Sequence, residues 1–457
     1  MMKNYDAIVI GSGCGAIIAD EASSVGLKVA LIDRGPLVGG TCLNWGCIPS
    51  KMLIYTADSI MAIGAAKKLG INAEVKDIDF GSIMERMRKS RQESQIQIRE
   101  GLKQSENLDF YEGEGHFVDE YTLEVNGEQL KADKIFIASG TRPFSPPIKG
   151  LDNVDYLTNS SVLELEEKPE SLIIIGGGYI AVEFGHFFSA MGTRVTMLEM
   201  ADRLILSEEA EISEVLKNEL SKRMAVHTSS QAEEVRKNGD NISVVTADRK
   251  TGKKREFTAQ RLMMAVGRRS NADLLRVENT GVELDTRGFI KVNEYMETSR
   301  ENIYAIGDAN GQQMFTHMAN REAAIVAQNV LYGGRLEVDY SAIPHAVYSH
   351  PQIASVGLRE EEARNNHEVL VGRFKYSDTA KGEAMMENVG YTKAIVEKGT
   401  DKILGFHIIG PYAPELIQEV VNAMTSGGQL DEMNQGIHIH PALSELIPMT
   451  LNSLEEI

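Results

Sequence analysis

The chain has 457 residues, of which 42% are hydrophobic and 25% charged, and its formal net charge is −19. This length is sufficient for two or three domains with separate cores, while the negative charge argues against nucleic acid as a partner. Three cysteines are too few for a secreted disulfide framework. The sequence shows no signal-peptide pattern and no apolar run near the roughly 18 residues of a membrane helix. We therefore expect a cytoplasmic protein with no membrane partner.

The first predicted unit is a strand, a glycine-rich turn, a helix and a second strand. The apolar residues 7–10 precede the turn at residues 11–16, and the second strand ends at Asp33. In this dinucleotide-binding pattern Gly11, Gly13 and Ala16 allow a pyrophosphate to approach the backbone, and the terminal acid binds a ribose hydroxyl. A simple glycine turn of an α/β protein is the alternative interpretation.

Two cysteines, Cys42 and Cys47, lie in the run Gly39-Gly40-Thr41-Cys42-Leu43-Asn44-Trp45-Gly46-Cys47-Ile48-Pro49-Ser50-Lys51. Their spacing permits a disulfide that closes a small ring, and glycines supply the unusual backbone angles that such a ring needs. Pro49 favours a helix that begins near Cys47, where a thiolate is stabilised. We predict a redox-active disulfide, with a structural bridge or a metal clip as alternatives.

This run resembles the redox helix of the pyridine nucleotide–disulfide oxidoreductases, the family of dihydrolipoamide dehydrogenase, glutathione reductase, mycothione reductase and mercuric reductase. The resemblance implies FAD at the first glycine turn, with Gly40, Thr41 and Lys51 among its contacts. It also implies that Cys47 is the thiol facing the flavin and that Cys42 exchanges with the substrate. Lys51 would stabilise negative charge on the reduced ring.

The next segment combines a long polar helix and a hairpin. The helix is predicted at about residues 82–105, and the hairpin turns at residues 126–127. Residues 134–140 form a buried strand that resembles a flavin-contacting segment of the family, and the resemblance adds Gly115, Ser139 and Gly140 to the predicted FAD contacts. Three prolines after this strand indicate a domain boundary near residue 150.

A second dinucleotide fingerprint begins at Ser171 and implies a second nucleotide. Its turn and helix start supply the predicted NAD contacts Gly176, Gly178, Tyr179 and Ile180. Glu199 ends the second strand of this unit, where a carboxylate binds the ribose of NAD and repels the 2′-phosphate of NADP, so we predict NAD(H).

Glu183 follows on the helix of this unit, and the family resemblance pairs it with Lys51 near the nicotinamide; an ordinary solvated glutamate is the alternative. Gly267 closes the unit, also as a nucleotide contact. Asp308 resembles the family contact to the flavin ribityl chain, and Met314 to His317 would lie against the isoalloxazine.

The C-terminal region resembles the family's dimerisation domain. Its ending, His438-Ile439-His440-Pro441-Ala442-Leu443-Ser444-Glu445, matches the family pattern in which a histidine before proline and a glutamate five residues later form an acid–base pair. The resemblance assigns these roles to His440 and Glu445. In the family the histidine enters the partner subunit's site, which implies a homodimer with shared active sites.

The predicted architecture is an α/β fold with two Rossmann-like dinucleotide-binding domains, for FAD and NAD, and a C-terminal α+β dimerisation domain. The expected limits are 1–150 for the FAD-binding domain with the redox disulfide, 151–270 for the NAD-binding domain, 271–338 for a return to the FAD and central domain, and 339–457 for dimerisation. No metal site is expected.

The expected activity passes electrons between NAD(H), FAD, the Cys42–Cys47 disulfide and a thiol or disulfide, either a small molecule or a lipoyl carrier protein. Glu199 and the His-x-His-Pro ending favour dihydrolipoamide dehydrogenase. Residues 51–55, 185–192 and 349–352 resemble mycothione reductase instead. A mercuric reductase is less favoured because no cysteine follows Cys47. A redox-sensing flavoprotein without enzymatic activity is the alternative from another class.

Overall fold

A computed structural model describes residues 2–456 of the chain. Residues 1 and 457, the outer limits of the first and last predicted domains, lie outside the described residues. The described residues divide into two compact units, one formed by residues 2–50, 84–144 and 267–339 and the other by residues 51–83, 145–266 and 340–456. Since each unit combines separate segments, the four predicted domain limits stay predictions.

The strands are, in chain order, β1 (Met2–Ile10), β2 (Val29–Asp33), β3 (Leu108–Glu112), β4 (His116–Asp119), β5 (Thr122–Val125), β6 (Glu128–Ile137), β7 (Thr141–Pro143), β8 (Ser171–Ile175), β9 (Arg194–Leu198), β10 (Ala225–His227), β11 (Ser230–Asn238), β12 (Asn241–Asp248), β13 (Lys254–Ala259), β14 (Arg261–Met264), β15 (Arg268–Ser270), β16 (Ile303–Ala305), β17 (Pro344–Val347), β18 (Ile353–Gly357), β19 (Val369–Lys375), β20 (Tyr391–Glu397) and β21 (Ile403–Ile409).

The α-helices are α1 (Gly15–Ser24), α2 (Gly40–Trp45), α3 (Cys47–Ala65), α4 (Phe80–Gln104), α5 (Tyr179–Ala190), α6 (Ala210–Leu220), α7 (Thr316–Tyr332), α8 (Glu360–Ala363), α9 (Ala380–Ala384), α10 (Ala413–Thr425), α11 (Leu430–Asn434) and α12 (Leu446–Leu451). Short 3₁₀ helices lie at Ala66–Leu69, Leu151–Asn153, Ser161–Glu164, Val277–Thr280, Gly307–Ala309, Tyr376–Asp378 and Leu443–Glu445. Among residues 2–456, no helix is both long enough and apolar enough to cross a lipid bilayer.

The first unit is organised around a sheet whose centre is the strand β1. The strand order is β3-β2-β1-β6-β5-β4, and β16 pairs with β6. β1 is parallel to β2, to which α1 connects it, and it is also parallel to β6. β5 and β6 are antiparallel and are joined by a turn at residues 126–127. Residues 7–10 are at most 4% exposed, as expected for a parallel strand covered on both faces.

The second unit contains one parallel sheet and two antiparallel sheets. The parallel sheet has the order β10-β9-β8-β14, and β11, β12 and β13 form a separate antiparallel sheet. The third sheet has the order β17-β18-β21-β20-β19 and is antiparallel throughout. Its core includes Phe406, Ile408 and residues of α10 and α12 such as Ile417 and Leu446.

The predicted α/β class, with a C-terminal α+β region, is confirmed by this arrangement. The two βαβ patterns form β1-α1-β2 and β8-α5-β9, and the predicted polar helix is α4. In both βαβ units, the glycine-rich turns follow the carboxyl end of the first strand, which is where nucleotides bind in open α/β sheets.

Candidate functional site

The two cysteines of the redox run lie on two consecutive helices that are separated by one residue, Gly46. Cys42 lies on α2, and Cys47 is the first residue of α3, with Pro49 in the first turn as predicted. Gly39 and Gly40 precede α2 with φ angles of 92° and 69°, a left-handed conformation that a side chain would strain. The two cysteines carry separate thiols in this structure.

The thiols of Cys42 and Cys47 are within hydrogen-bonding contact of each other. This hydrogen bond and burial raise the pKa of Cys42, whereas a hydrogen bond from Thr316 acts in the opposite direction. Thr316 Oγ1 also lies 3.4 Å from Cys47 Sγ. Cys47 Sγ is therefore in hydrogen-bonding contact with both the Cys42 thiol and the Thr316 hydroxyl.

Two buried amides fix the position of α2. Asn44 donates from Nδ2 to Val38 O at 2.7 Å and to Gly40 O at 2.9 Å. Gln95 of α4 donates from Nε2 to Asn44 Oδ1 and to Val38 O, both at 2.6 Å, and accepts from Val38 N at 2.8 Å. We call Asn44 and Gln95 the amide clamp; it connects α4 to the helix that carries Cys42.

The first glycine turn is packed so closely that a side chain at Gly11, or at Gly40 beside the turn, would clash. A Cβ on Gly11 would lie 2.2 Å from Ala138 O, and a Cβ on Gly40 would lie 2.6 Å from Gly13 Cα. Asp33 Oδ2 accepts hydrogen bonds from Ser12 N at 2.8 Å and Ser12 Oγ at 2.5 Å. Ala16 on α1 and Thr41 on α2 follow these glycines in the chain, and their contacts to FAD stay predictions.

Further groups around this turn are consistent with bound FAD. Ser139 Oγ is buried and has no hydrogen-bond partner among the described residues, so it is available to a ligand. Gly140 follows it with φ 63°, and Gly115 packs near Ile32, since a Cβ there would lie 3.1 Å from Ile32 Cγ2. The residues present therefore fit the flavin nucleotide.

Asp308 lies in a hydrogen-bonded group within the first unit. Its Oδ2 accepts from Thr141 Oγ1 at 2.7 Å, and Arg268 donates to Thr141 Oγ1 at 2.6 Å and to Thr141 O at 2.9 Å. Gly267, just before Arg268, has φ 120°. The carboxylate is therefore fixed through Oδ2, and its contact to the flavin ribityl chain stays a prediction.

The segment before α7 carries the other two predicted flavin contacts. Met314 is 37% exposed, and the ring of His317 stacks on Phe315 with centroids 5.5 Å apart. Their roles toward FAD stay predictions.

Lys51 and Glu183 form an ion pair within the second unit. Lys51 Nζ donates to both Glu183 oxygens at 2.8 Å and lies 4.4 Å from the centroid of the Tyr348 ring. Tyr348 N also donates to Glu183 Oε1 at 3.2 Å. The predicted partners are therefore in contact. Because the glutamate side chain is only 10% exposed, Glu183 is not an ordinary solvated glutamate.

The second glycine turn repeats the shape of the first. A Cβ on Gly176 would lie 2.2 Å from Ala265 O, and nothing lies within 4 Å of a Cβ on Gly178. Tyr179 and Ile180 begin α5, and Tyr179 hydrogen-bonds Ser207 Oγ at 2.7 Å.

Glu199 follows β9 beside this turn. Its Oε1 accepts from Ala201 N at 2.6 Å, and a Cβ on Gly177 would lie 2.8 Å from Glu199 Cγ. The carboxylate is therefore held against the glycine turn, where the ribose of a dinucleotide binds in this fold.

The C-terminal histidine and glutamate are hydrogen-bonded. His440 Nδ1 and Glu445 Oε1 are 2.9 Å apart, with side-chain exposures of 70% and 13%. The backbone N–H of Ala442 and the His440 ring lower the pKa of Glu445. His438 Nε2 lies 2.7 Å from Glu419 Oε1. A carboxylate on Nδ1 leaves Nε2 of the exposed imidazole for proton transfer.

Within each unit, the structure brings together the sequence-predicted pairs and adds contacts from three residues that were not predicted as contacts of these pairs. Gln95, Thr316 and Tyr348 each contact a predicted residue, as described above. Thr316 lies inside the segment from Met314 to His317 that the sequence indicated. Gln95 is one of many polar residues in a polar helix, and no sequence feature distinguishes it from the others. Among residues 2–456, no group of three or more His, Cys, Asp or Glu side chains could hold a metal ion.

Comparisons with known proteins agree with this geometry. The sequence model of the pyridine nucleotide-disulphide oxidoreductases matches residues 5–323, and that of their dimerisation domain matches residues 343–450. Mycothione reductase of Mycobacterium tuberculosis (strain ATCC 25618 / H37Rv) is 34% identical over 99% of this chain and 100% of its own length. Dihydrolipoyl dehydrogenase of Bacillus subtilis (strain 168) is 32% identical over 98% and 97%.

A solved structure is similar over nearly the whole chain. The HOCl-induced flavoprotein disulfide reductase RclA from Escherichia coli superposes with a TM-score of 0.87 at 28% identity, covering 98% of this chain and 99% of that chain. These similar proteins have different names at comparable identity, so similarity alone does not select one substrate.

Proposed function

Because the chain belongs to the pyridine nucleotide-disulphide oxidoreductase family, an FAD-dependent enzyme class, we propose that it is an NAD-linked enzyme of the dihydrolipoyl dehydrogenase type. The observation that carries the proposal is Glu199, whose carboxylate is held by Ala201 N at 2.6 Å beside the second glycine turn. A fixed carboxylate there favours the ribose hydroxyls of NAD and repels the 2′-phosphate of NADP.

The residues of the chain have distinct tasks in this proposal. FAD supplies the two-electron carrier between nicotinamide and sulfur. Cys42 is the thiol that exchanges with dihydrolipoamide, and Cys47 is the thiol that faces the flavin. Lys51, held by Glu183, would stabilise negative charge on the reduced flavin ring, because a fixed cation lowers the energy of a developing anion.

Proton transfer is assigned to His440. Thiol–disulfide exchange needs a thiolate as attacker and a proton for the leaving sulfur. The Glu445 carboxylate on Nδ1 orients the imidazole, so that Nε2 takes the proton from one thiol and returns it to another.

A homodimer with shared active sites completes the proposal. The dimerisation-domain match supports association of two chains, and the assignment of His440 to the partner's site follows the family pattern. The side chains of Ile437 and Ile439 are 100% and 78% exposed. Two exposed apolar residues flanking His438 are what an interface segment presents in an isolated chain.

A mycothione reductase type is the second candidate, because two stretches that resemble it meet in the structure. His186, in residues 185–192, stacks on His350, in residues 349–352, with ring centroids 6.2 Å apart. The relative of that name is 34% identical over 99% of the chain.

Steady-state kinetics with the purified enzyme distinguish the candidates. We expect the highest kcat/KM with dihydrolipoamide and NAD⁺, compared with NADH-dependent reduction of mycothiol disulfide, glutathione disulfide and Hg²⁺. A mycothiol disulfide kcat/KM at least tenfold above that for lipoamide would replace the first candidate by the second. Absence of turnover with every disulfide, despite bound FAD, would contradict both.

A further inference from the structure

Thr316 provides a hydroxyl contact to the redox pair that the assigned roles do not use. It is the first residue of α7 and is half-buried. Its Oγ1 lies 3.4 Å from Cys47 Sγ. The same hydroxyl also hydrogen-bonds Cys42, where it opposes the rise in pKa caused by the Cys47 hydrogen bond and by burial. One side-chain oxygen therefore contacts both sulfurs.

The charge on these sulfurs changes when the pair is reduced. In the proposed function, NADH is the source of a hydride equivalent, which is two electrons and one proton, and FAD would be the group that carries it to the cysteine pair. The Cys42–Cys47 bond breaks, the proton stays on Cys42 and the released electron pair stays on Cys47. The products are one thiol, one thiolate and NAD⁺, so no further reactant is needed.

The hydrogen bond from the Thr316 hydroxyl differs in strength between the two redox states of the cysteine pair. A disulfide sulfur is a weak acceptor, whereas a thiolate is a strong one, and hydrogen bonds to ionised groups are roughly twice as strong as neutral ones. Because a thiolate has no proton, the hydroxyl must be the donor in the reduced state. The Cys42 thiol also hydrogen-bonds Cys47.

We propose that Thr316 is a catalytic residue whose hydroxyl donates to the Cys47 thiolate and thereby stabilises the reduced form of the Cys42–Cys47 pair. This inference rests on the proposed function, since it takes the pair as redox-active. It does not depend on the identity of the disulfide substrate.

The test measures the dithiol–disulfide equilibrium of the holoenzyme without nicotinamide or substrate. Protein is equilibrated at pH 7.5 in buffers of reduced and oxidised dithiothreitol, alkylated, and the fraction of reduced Cys42 and Cys47 is determined by mass spectrometry. Thr316→Val keeps the shape and removes the hydroxyl, Thr316→Ser keeps the hydroxyl, and Thr425→Val is a matched substitution on the last turn of α10.

We expect Thr316→Val to shift the equilibrium about tenfold toward the disulfide, equal to about 30 mV in a two-electron potential. Thr316→Ser and Thr425→Val should match the parent enzyme. The inference is overturned if the valine variant matches the parent, or if valine and serine shift the equilibrium equally. Failure of the parent cysteines to form a disulfide at any dithiothreitol ratio would instead overturn the proposed function. Melting temperatures and flavin content of all variants confirm folding.

Discussion

Lys51 Nζ donates to both carboxylate oxygens of Glu183 at 2.8 Å, and these two residues are 132 positions apart in the chain. The pair is partly screened, since the lysine side chain is 34% exposed and the glutamate 10%. The glutamate is in turn held by Tyr348 N. Such an arrangement fixes the position of the ammonium group, which a solvated lysine could not do.

The first prediction concerns this pair. Glu183→Gln removes the charge that holds Lys51 and should lower the rate of flavin reduction by NADH about a hundredfold, the lower end of the range for loss of one preorganised group. Stopped-flow absorbance at the flavin band measures that rate. Glu166→Gln, at an exposed position of the same unit, is the control. An unchanged rate in Glu183→Gln would contradict the proposed role.

The second prediction concerns the choice of nicotinamide. With Glu199 in place, kcat/KM for NADH should exceed that for NADPH by at least about tenfold, because the 2′-phosphate would approach a carboxylate. Glu199→Ser should reduce this preference roughly tenfold, whereas Glu167→Ser, at an exposed position, should not change it. Equal use of NADPH by the parent enzyme would show that Glu199 does not select the nucleotide.

The amide clamp gives the third prediction. Gln95→Leu would leave Val38 and Asn44 groups buried without partners, at a cost of about 2 kcal/mol or more in free energy of unfolding. Urea unfolding measures this loss, and hydrogen exchange of residues 38–46 should rise as α2 loses its anchor. Gln97→Leu makes the same change on the exposed side of α4. Equal stability of the two variants would mean that the clamp does not hold α2.

The fold follows from local patterns, whereas parts of the site do not. The buried runs at residues 7–10 and 172–175, each followed by glycines, predict two βαβ units from sequence alone. The Lys51–Glu183 and His440–Glu445 pairs were predicted because whole motifs resemble a family. Gln95 and Thr316 lie 51 and 269 positions from Asn44 and Cys47, and such contacts depend on tertiary packing that neither periodicity nor spacing specifies.

The fourth prediction concerns acid stability. Burial lowers the pKa of His186 to about 4, against the opposing effect of its hydrogen bond to Asp58, and its Nε2 lies 2.8 Å from Asp58 Oδ1. In the unfolded chain a histidine has a pKa of about 6.5. Its contribution to stability is therefore complete above pH 6.5 and is lost as the pH falls toward 4, with a total of about 3 kcal/mol.

The urea midpoint of the parent should accordingly fall between pH 7 and pH 5. His186→Gln, which cannot be protonated, should lower the midpoint at pH 7 and flatten its pH dependence. Asn366→Gln, at an exposed position without an ionisable group, should leave the slope unchanged. Parallel pH profiles for the parent and His186→Gln would refute the assignment.

The fifth prediction tests whether two chains share each active site. Cys42→Ala removes the exchanging thiol, and His440→Ala removes the exposed imidazole held by Glu445; each homodimer should be inactive with a disulfide substrate. If His440 serves the partner's cysteines, a mixed dimer of the two variants contains one site with both groups intact. Heterodimers purified with two different affinity tags should therefore regain about half of the parent activity. Because a site built within one chain would carry one defect in every subunit, verified heterodimers that remain inactive would exclude the shared site.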